Sequence, residues 1–504
     1  MKKNIILASL LLLSSSGIFN SCQDFLDKEP LGKASIEVIL ADESNIDLFL
    51  NRVYATLSWR EWYIGRQMFN LWEFGADDLE GKPGNGQYAN YKNFTYDPSE
   101  GAINEYWNRT YENLNHCNQI IDRTPSFKNR EVAELAEAQA KYFRAYYNFG
   151  LVTIFGEAPL RDHVPATEEF DLPKSPANAF YALIISDLEY AVQHLKTRSA
   201  WGGTNLGRVT KGTAQGLLAK VYLSRQDNKN AQKWANEVIK GGEYRLDNNY
   251  RNLFSPDNLY SSENMMPGHY LHNATVPDGR KWNPYAQFQG IGGGVGNAEL
   301  VVSPSLVNAY ETGDPRKMAS IFDTAKDKIQ GAEDIVPADY VKYANKKVIW
   351  PKSYWNAGQF SWTSVNPMFL RYAEILLIYA EASNELGTAL DGLTVEEALE
   401  QVRFRARGNK TFEEAGFLPK IAGLNKSATR EAIWHERRIE LAMEFQRWQD
   451  LMRYEKVVQG YTTNLFKNVY HRNSFDYGKH SKFPIPQSKI SSSQNILKQH
   501  DAWN

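Results

Sequence analysis

Apolar residues return at the helical spacing i, i+3, i+4 over most of this 504-residue chain. The spacing predicts helices over 36–58, 103–122, 131–156 and 179–196, with Pro159 just beyond the third. The stretch KGTAQGLLAKVYLSRQDNKNAQKWANEVIKGGEYRL carries two amphipathic runs flanking Asp227 and Asn228, good turn residues. Ala219, Tyr222 and Ala231 fall where a tetratricopeptide unit wants a small residue, an aromatic three later, and an alanine opening its second helix. Small side chains there let the two helices approach closely. In RYAEILLIYAEASNELG, residues Tyr372, Ile375, Leu376, Tyr379, Ser383 and Leu386 share one face, and VEEALEQVRFRAR is a candidate partner. Further on, Trp434, Leu441, Phe445, Trp448 and Met452 align on one helical stripe through TREAIWHERRIELAMEFQRWQDLMRYEK. Arg437, Glu440, Glu444 and Arg447 on that stretch are expected to pair around a helix–helix contact.

The periodicity fails in two places. Residues 59–101 contain DDLEGKPGNGQYANYKNFTYDPSEG, and 255–367 are rich in Gly, Pro, Asn and aromatics. The second region is too long for one structureless loop, so it reads as an inserted subdomain of loops, short helices and few short strands. The expected fold class is mainly α, with tetratricopeptide-like helical repeats packed beside this irregular, loop-rich subdomain. The expected organisation is 1–21 signal peptide, 22–34 tether, 35–254 N-terminal helical region, 255–367 irregular ligand-binding subdomain and 368–504 C-terminal helical region.

The first residues resemble an export signal: Lys2 and Lys3, then IILASLLLL, then small residues. Two processing routes fit. Ordinary signal peptidase leaves Cys22 incidental; a lipoprotein signal makes Cys22 the acylated N-terminus, and more than one acyl chain at ~0.8 kcal/mol per CH₂ anchors stably. Gln23 to Pro30, with Asp24, Asp27 and Glu29, then reads as a solvated tether. With Cys22 lipidated only Cys117 remains, so no internal disulfide forms, and Cys117 reads as a small buried hydrophobe. The charges, Lys+Arg 57 against Asp+Glu 59, argue against nucleic acid as a partner.

The search for catalytic patterns is negative. His435 and Glu436 start like a zinc helix, but Ile439 holds the second histidine's place. The run GIGGGVG (290–296) lacks dinucleotide-fingerprint spacing, and no P-loop, G-x-S-x-G or cysteine-rich metal pattern is present. A glycosidase carboxylate pair, whose members can lie far apart in sequence, stays open. The positive signal is aromatic: Trp 13, Tyr 28 and Phe 24. Many cluster in the two irregular regions near Asp77 and Asp78. Sugar rings stack an apolar C–H face on such side chains, while carboxylates and amides meet the hydroxyls. Two or three stacks at about 0.5–1.5 kcal/mol each support micromolar to millimolar affinity.

Several blocks, in order, resemble the SusD/RagB family of Bacteroidetes cell-surface nutrient-binding lipoproteins. They are SCQDFLDKEP, AQAKYFRAYYNFGLVTIFGEAPL, the segment GRVTKGTAQGLLAKVYLSRQ onward, FLRYAEILLIYAEASNELG, ERRIELAMEFQRWQDLMRY, and the closing FPIPQSKISSSQNILKQHDAW. The resemblance implies a tetratricopeptide-like fold, lipid attachment at Cys22, an outward-facing outer-membrane location, and a SusC-like TonB-dependent transporter as partner. It implies capture of an oligo- or polysaccharide without catalysis or cofactor, and leaves open whether a metal ion sits in a loop. The alternative is a peptide-capturing or protein-interaction module on the same scaffold. Region and chemistry select Trp62, Asp77, Tyr88, Tyr91, Trp282, Tyr285 and Trp355 as candidate ligand contacts.

Overall fold

The structure is a computed structural model that describes residues 42–57, 68–268, 283–494 and 496–504. It divides into two units, 1–46 and 47–504. Of the first, the described part is a 3-10 turn, Glu43–Asn45, capped by the Asp42 carboxylate. Ten longer helices lie among the described residues: α1 (Ile46–Ala55), α2 (Gly101–Arg123), α3 (Arg130–Ile154), α4 (Ala177–His194), α5 (Lys211–Ser224), α6 (Asn228–Gly241), α7 (Tyr372–Leu386), α8 (Val395–Ala406), α9 (Lys426–Glu440) and α10 (Arg447–Val457). Each predicted helix up to residue 406 is present within a few residues of its expected ends; of the first prediction, 36–41 lie outside the described residues.

Consecutive helices pack in series, α2 on α3, α3 on α4, α4 on α5 and α5 on α6, and α6 then meets α7 across 130 residues of intervening chain. The α5–α6 pair is the tetratricopeptide unit read from the sequence. Thr210 and Thr213 form a capping box at the start of α5, and Asp227 caps α6 by accepting from the Asn230 N–H. Ala219 and Ala231 are fully buried between the helices, where a larger side chain would hold them apart. Gln232 on α6 donates to the Ser383 hydroxyl of α7 at 2.9 Å, locking that joint.

The stripe from Trp434 to Met452 is not one helix. It breaks over 441–446, where Met443 (φ 62°) and Phe445 (φ 60°) adopt the left-handed conformation. That conformation costs a non-glycine residue roughly 1–2 kcal/mol. The offset is visible in the contacts the break permits. Glu444 reaches Lys347 and Arg371, the Phe445 N–H reaches Glu73, and Arg447 reaches Asp77. A straight helix could not aim these groups at three separate segments.

The Glu444 contacts belong to a buried ionic lattice that joins residues 255–367 to the helices. Five cations, Arg316, Lys347, Arg371, Arg403 and Arg405, face five carboxylates, Glu263, Asp314, Glu436, Glu440 and Glu444. Arg371 alone touches Glu263 at 2.7 Å, Glu440 at 2.6 Å and Glu444 at 2.7 Å. Burial opposes ionisation of Glu440, but Arg405, Arg371 and Arg316 outweigh it and hold the carboxyl well below its ordinary range. Buried charges persist only when paired and hydrogen-bonded in this way. The four residues expected to pair around a helix–helix contact do not pair with one another: Glu440 and Glu444 join the lattice, Arg447 takes Asp77, and Arg437 bridges α9 to α10 through Asp450.

The strands are short. They are β1 (Leu79–Gly81), β2 (Asn264–Pro267), β3 (Leu300–Val302), β4 (Ile321–Asp323), β5 (Tyr343–Asn345) and β6 (Met368–Arg371), forming antiparallel pairs β1–β3, β2–β6 and β4–β5. Strands of three or four residues contribute few ladder bonds, so the lattice and aromatic packing fix these loops.

Candidate functional site

The two irregular regions meet at the β1–β3 pair, where Leu79 opposes Val302 and Gly81 opposes Leu300. Ser303 fixes the crossing: its N–H donates to the Asp78 carbonyl at 2.9 Å and its hydroxyl to the Asp77 carbonyl at 2.6 Å. Segments more than 200 residues apart in the chain therefore share one edge, as expected of a site assembled from both.

Asp77 sits in this crossing and is buried. Arg447 binds both its oxygens, at 2.7 and 3.0 Å, Arg438 adds a contact at 3.0 Å, and the Tyr470 hydroxyl donates at 3.1 Å. Burial works against its ionisation, yet the two guanidinium groups hold its carboxyl well below the usual carboxylate range. Neighbouring Asp78 takes Arg438 Nε at 2.8 Å, while burial raises its pKa. Glu73 accepts the Phe445 N–H at 2.6 Å. Burial first, then the Asp78 charge, pushes the Glu73 carboxyl up to about 8, so it is neutral at pH 7.

The candidate contacts divide. Trp62, Trp282 and Cys22 lie outside the described residues. Asp77, Tyr88, Tyr91, Tyr285 and Trp355 are all buried, which corrects the expectation that they present surfaces to a ligand. Tyr88 stacks on Phe74 with ring centres 4.4 Å apart and gives its hydroxyl to Glu299. Tyr91 stacks on Tyr96, Tyr285 packs on Phe445, and Trp355 packs edge-on against Phe360 while its indole N–H donates to the Trp350 carbonyl. The physical reason is common to all of them. Loops with so little ladder hydrogen bonding need large rings to bury apolar area, at about 25 cal/mol per Å². Asp77 is likewise an anchor, already engaged by two arginines.

Other motifs are structural too. Glu436 pairs with Arg316 and Arg403, and Cys117 is fully buried with its thiol pKa raised by that burial. The run 290–296 is a tight turn. A Cβ on Gly290 would lie 2.0 Å from the Val295 carbonyl oxygen, and one on Gly293 (φ +61°) 2.2 Å from that of Val336. Among the described residues no group of three or more His, Cys, Asp or Glu is placed to hold a metal, and no helix is long and apolar enough to cross a membrane.

Exposed aromatic side chains among the described residues are Phe170, Tyr260 and Phe404. None of them was singled out by the sequence reading. Phe170 sits in TEEFDLPKSP, where a lone aromatic among acidic residues and prolines, outside any helical period, was the available signal.

Comparison with known proteins places these features. One family model, described as the SusD family, matches residues 227–503, and another, described as starch-binding and associating with the outer membrane, matches 24–223. SusD-like protein P2 of Formosa agariphila is 28% identical over 99% of this chain and 99% of its own length. Two solved structures share the fold at 24% identity and TM-score 0.74, each covering 91% of this chain and 99% of its own. One is described as a laminarin binding SusD-like protein, the other as surface glycan-binding protein A from Bacteroides fluxus.

Proposed function

We propose, from the premise that this chain belongs to the SusD family, that it captures a glycan at the outer membrane and hands it to a TonB-dependent transporter without itself doing chemistry. The observation that carries the reading is the β1–β3 crossing: it joins the two aromatic-rich loop regions on one edge of a rigid, helix-backed body. Laminarin and surface-glycan binding by proteins of this fold support the same class of ligand. The ionic lattice supports a holding role, because its carboxylates are engaged by guanidinium or ammonium groups and none is poised to deliver a proton.

With five candidates in the interior, the stacking contacts are assigned to Trp62 and Trp282. Trp62 precedes the short helix Met68–Trp72 in sequence, and Trp282 precedes Asn283, which caps Pro284–Phe288. Cys22 carries the lipid, which holds the protein at the membrane facing outward, beside its transporter.

The test is titration calorimetry of the purified protein against plant, fungal and host polysaccharides, including laminarin and soluble starch, with a peptide digest alongside. Saturable heat in the micromolar-to-millimolar range from a glycan, no release of reducing ends, and much weaker binding in W62A/W282A are expected. Heat from peptides alone would replace the glycan with a peptide ligand. Metabolic labelling with palmitate, lost in C22A, checks the anchor.

A further inference from the structure

A groove of about 410 Å³ opens between α2, the loop that follows α3, and the C-terminal segment. Trp107, Tyr111 and Asn115 of α2 line one wall, Phe170 and Asp171 of the loop another, and Lys489 the third. We propose that this groove is a second saccharide site, which takes a short neutral stretch of a glycan chain.

The loop is built, not slack. Its ends are joined by the Ala158–Ser175 bridge, the geometry of an Ω-loop. Arg161 clamps the carbonyls of Glu169 and Phe170. Buried Asn118 donates to the His163 carbonyl at 2.8 Å and is itself held by Arg144, which is in turn fixed by Asp187. Tyr111 donates to the Pro159 carbonyl at 2.7 Å, and Asp122 accepts the Val164 N–H at 2.8 Å. This scaffolding presents Phe170 at 62% exposure and Val164 at 39%. An apolar ring held rigidly in water beside a cavity marks a binding surface, and preorganisation lowers the cost of using it.

The lining selects the ligand. Asn115, Asp171 and Lys489 have no side-chain partner among the described residues, so an amide, a carboxylate and an ammonium are available to hydroxyl groups. Phe170 offers the ring face that a sugar's C–H surface needs. The charges balance: Glu112 and Asp171 oppose Arg161 and Lys489, while His163 is bracketed by Asp162 at 2.7 Å and Glu169 at 3.0 Å. A uronic or sulfated chain gains nothing from such a lining. An extended peptide would pair with free loop carbonyls, but those of Arg161, His163, Glu169 and Phe170 already accept bonds from within the fold. Pockets of this volume accept small-molecule-sized ligands. Two separated contacts on one polysaccharide raise its overall retention beyond either alone.

The proposal rests on the capture reading for its choice of probes, and the two can fail separately. Full-chain protein purified in detergent is titrated with laminarin and soluble starch, with polygalacturonate and a casein digest as controls, in wild type, F170A/N115A and W62A/W282A. Acetylation of Lys489 is followed by mass spectrometry with and without saturating glucan. The expected result is that F170A/N115A binds a neutral glucan roughly tenfold more weakly, about 1.4 kcal/mol, with an unchanged urea midpoint. Glucan protects Lys489 in wild type and in W62A/W282A but not in F170A/N115A. Wild-type glucan binding with Lys489 unprotected and F170A/N115A unaffected overturns the groove and leaves capture standing. No binding of either glucan overturns the groove, while capture falls only if the wider polysaccharide panel is silent too. Peptide binding lost in F170A/N115A, without glucan binding, overturns the saccharide assignment.

Discussion

Replacing Glu73 with glutamine tests how the break between α9 and α10 is held. The Glu73 carboxyl is buried beside Asp78, accepts the Phe445 N–H, and has its pKa raised from 4.5 to about 8. Below pH 4.5 both folded and unfolded chains carry it neutral. Between 4.5 and about 8 the unfolded chain ionises it while the folded chain keeps the proton, so stability falls as pH rises through that window. At roughly 1.4 kcal/mol per pH unit the loss reaches about 3 kcal/mol at pH 7. Glutamine keeps the carbonyl that Phe445 needs and never ionises. E73Q therefore loses none of this stability with pH. Urea unfolding followed by tryptophan fluorescence, at pH 5 to 8, reads the difference between the two proteins. Any fixed cost of the new amide cancels in the slope, and the E73Q advantage should grow by about 3 kcal/mol across the range. A difference constant to within about 1 kcal/mol would mean that Glu73 ionises normally in the fold, and the account of this junction would be wrong.

Three further substitutions separate anchoring from binding. Arg371→Met leaves Glu263, Glu440 and Glu444 short of a buried counter-charge and should cost about 3–5 kcal/mol in urea unfolding. Asp77→Asn takes from Arg447 its carboxylate partner and leaves Arg438 with Asp78, so it should lower the urea midpoint while leaving glycan affinity of the folded protein unchanged by calorimetry. Tyr91→Phe removes a buried hydroxyl that has no hydrogen-bond partner among the described residues, and its thermal midpoint should match or exceed wild type.

The helices up to 406 were legible because each buries one face at a period that survives in the sequence, and the Ala219–Ala231 contact because close approach demands small residues. The break at Met443 and Phe445 was not. Both residues keep the stripe intact, and what interrupts it is the pull of Glu73, Asp77 and Lys347 from distant segments. The two irregular regions were readable from composition, whereas their meeting at β1–β3 and the roles of Tyr88, Tyr91, Tyr285 and Trp355 were not. An aromatic that packs a loop and one that receives a sugar are the same letter. Phe170 escaped for the opposite reason: a single ring in an acidic, proline-bounded stretch leaves no pattern, and its setting depends on Arg161 and Asn118 folding the loop beneath it.

The ionic lattice grips residues 255–371 at only a few places: Glu263, Asp314 with Arg316, Lys347 and Arg371. Between those places the segment buries apolar residues of its own, among them Phe288, Leu300, Ile321 and Ile349, while stretches such as 333–339 stay at the surface. Such surface stretches can lengthen, shorten or change composition without disturbing the helices, since longer surface loops cost little closure entropy. A scaffold fastened this way is suited to diversification: new ligand preferences can be tried in the loops while the inherited frame stays folded.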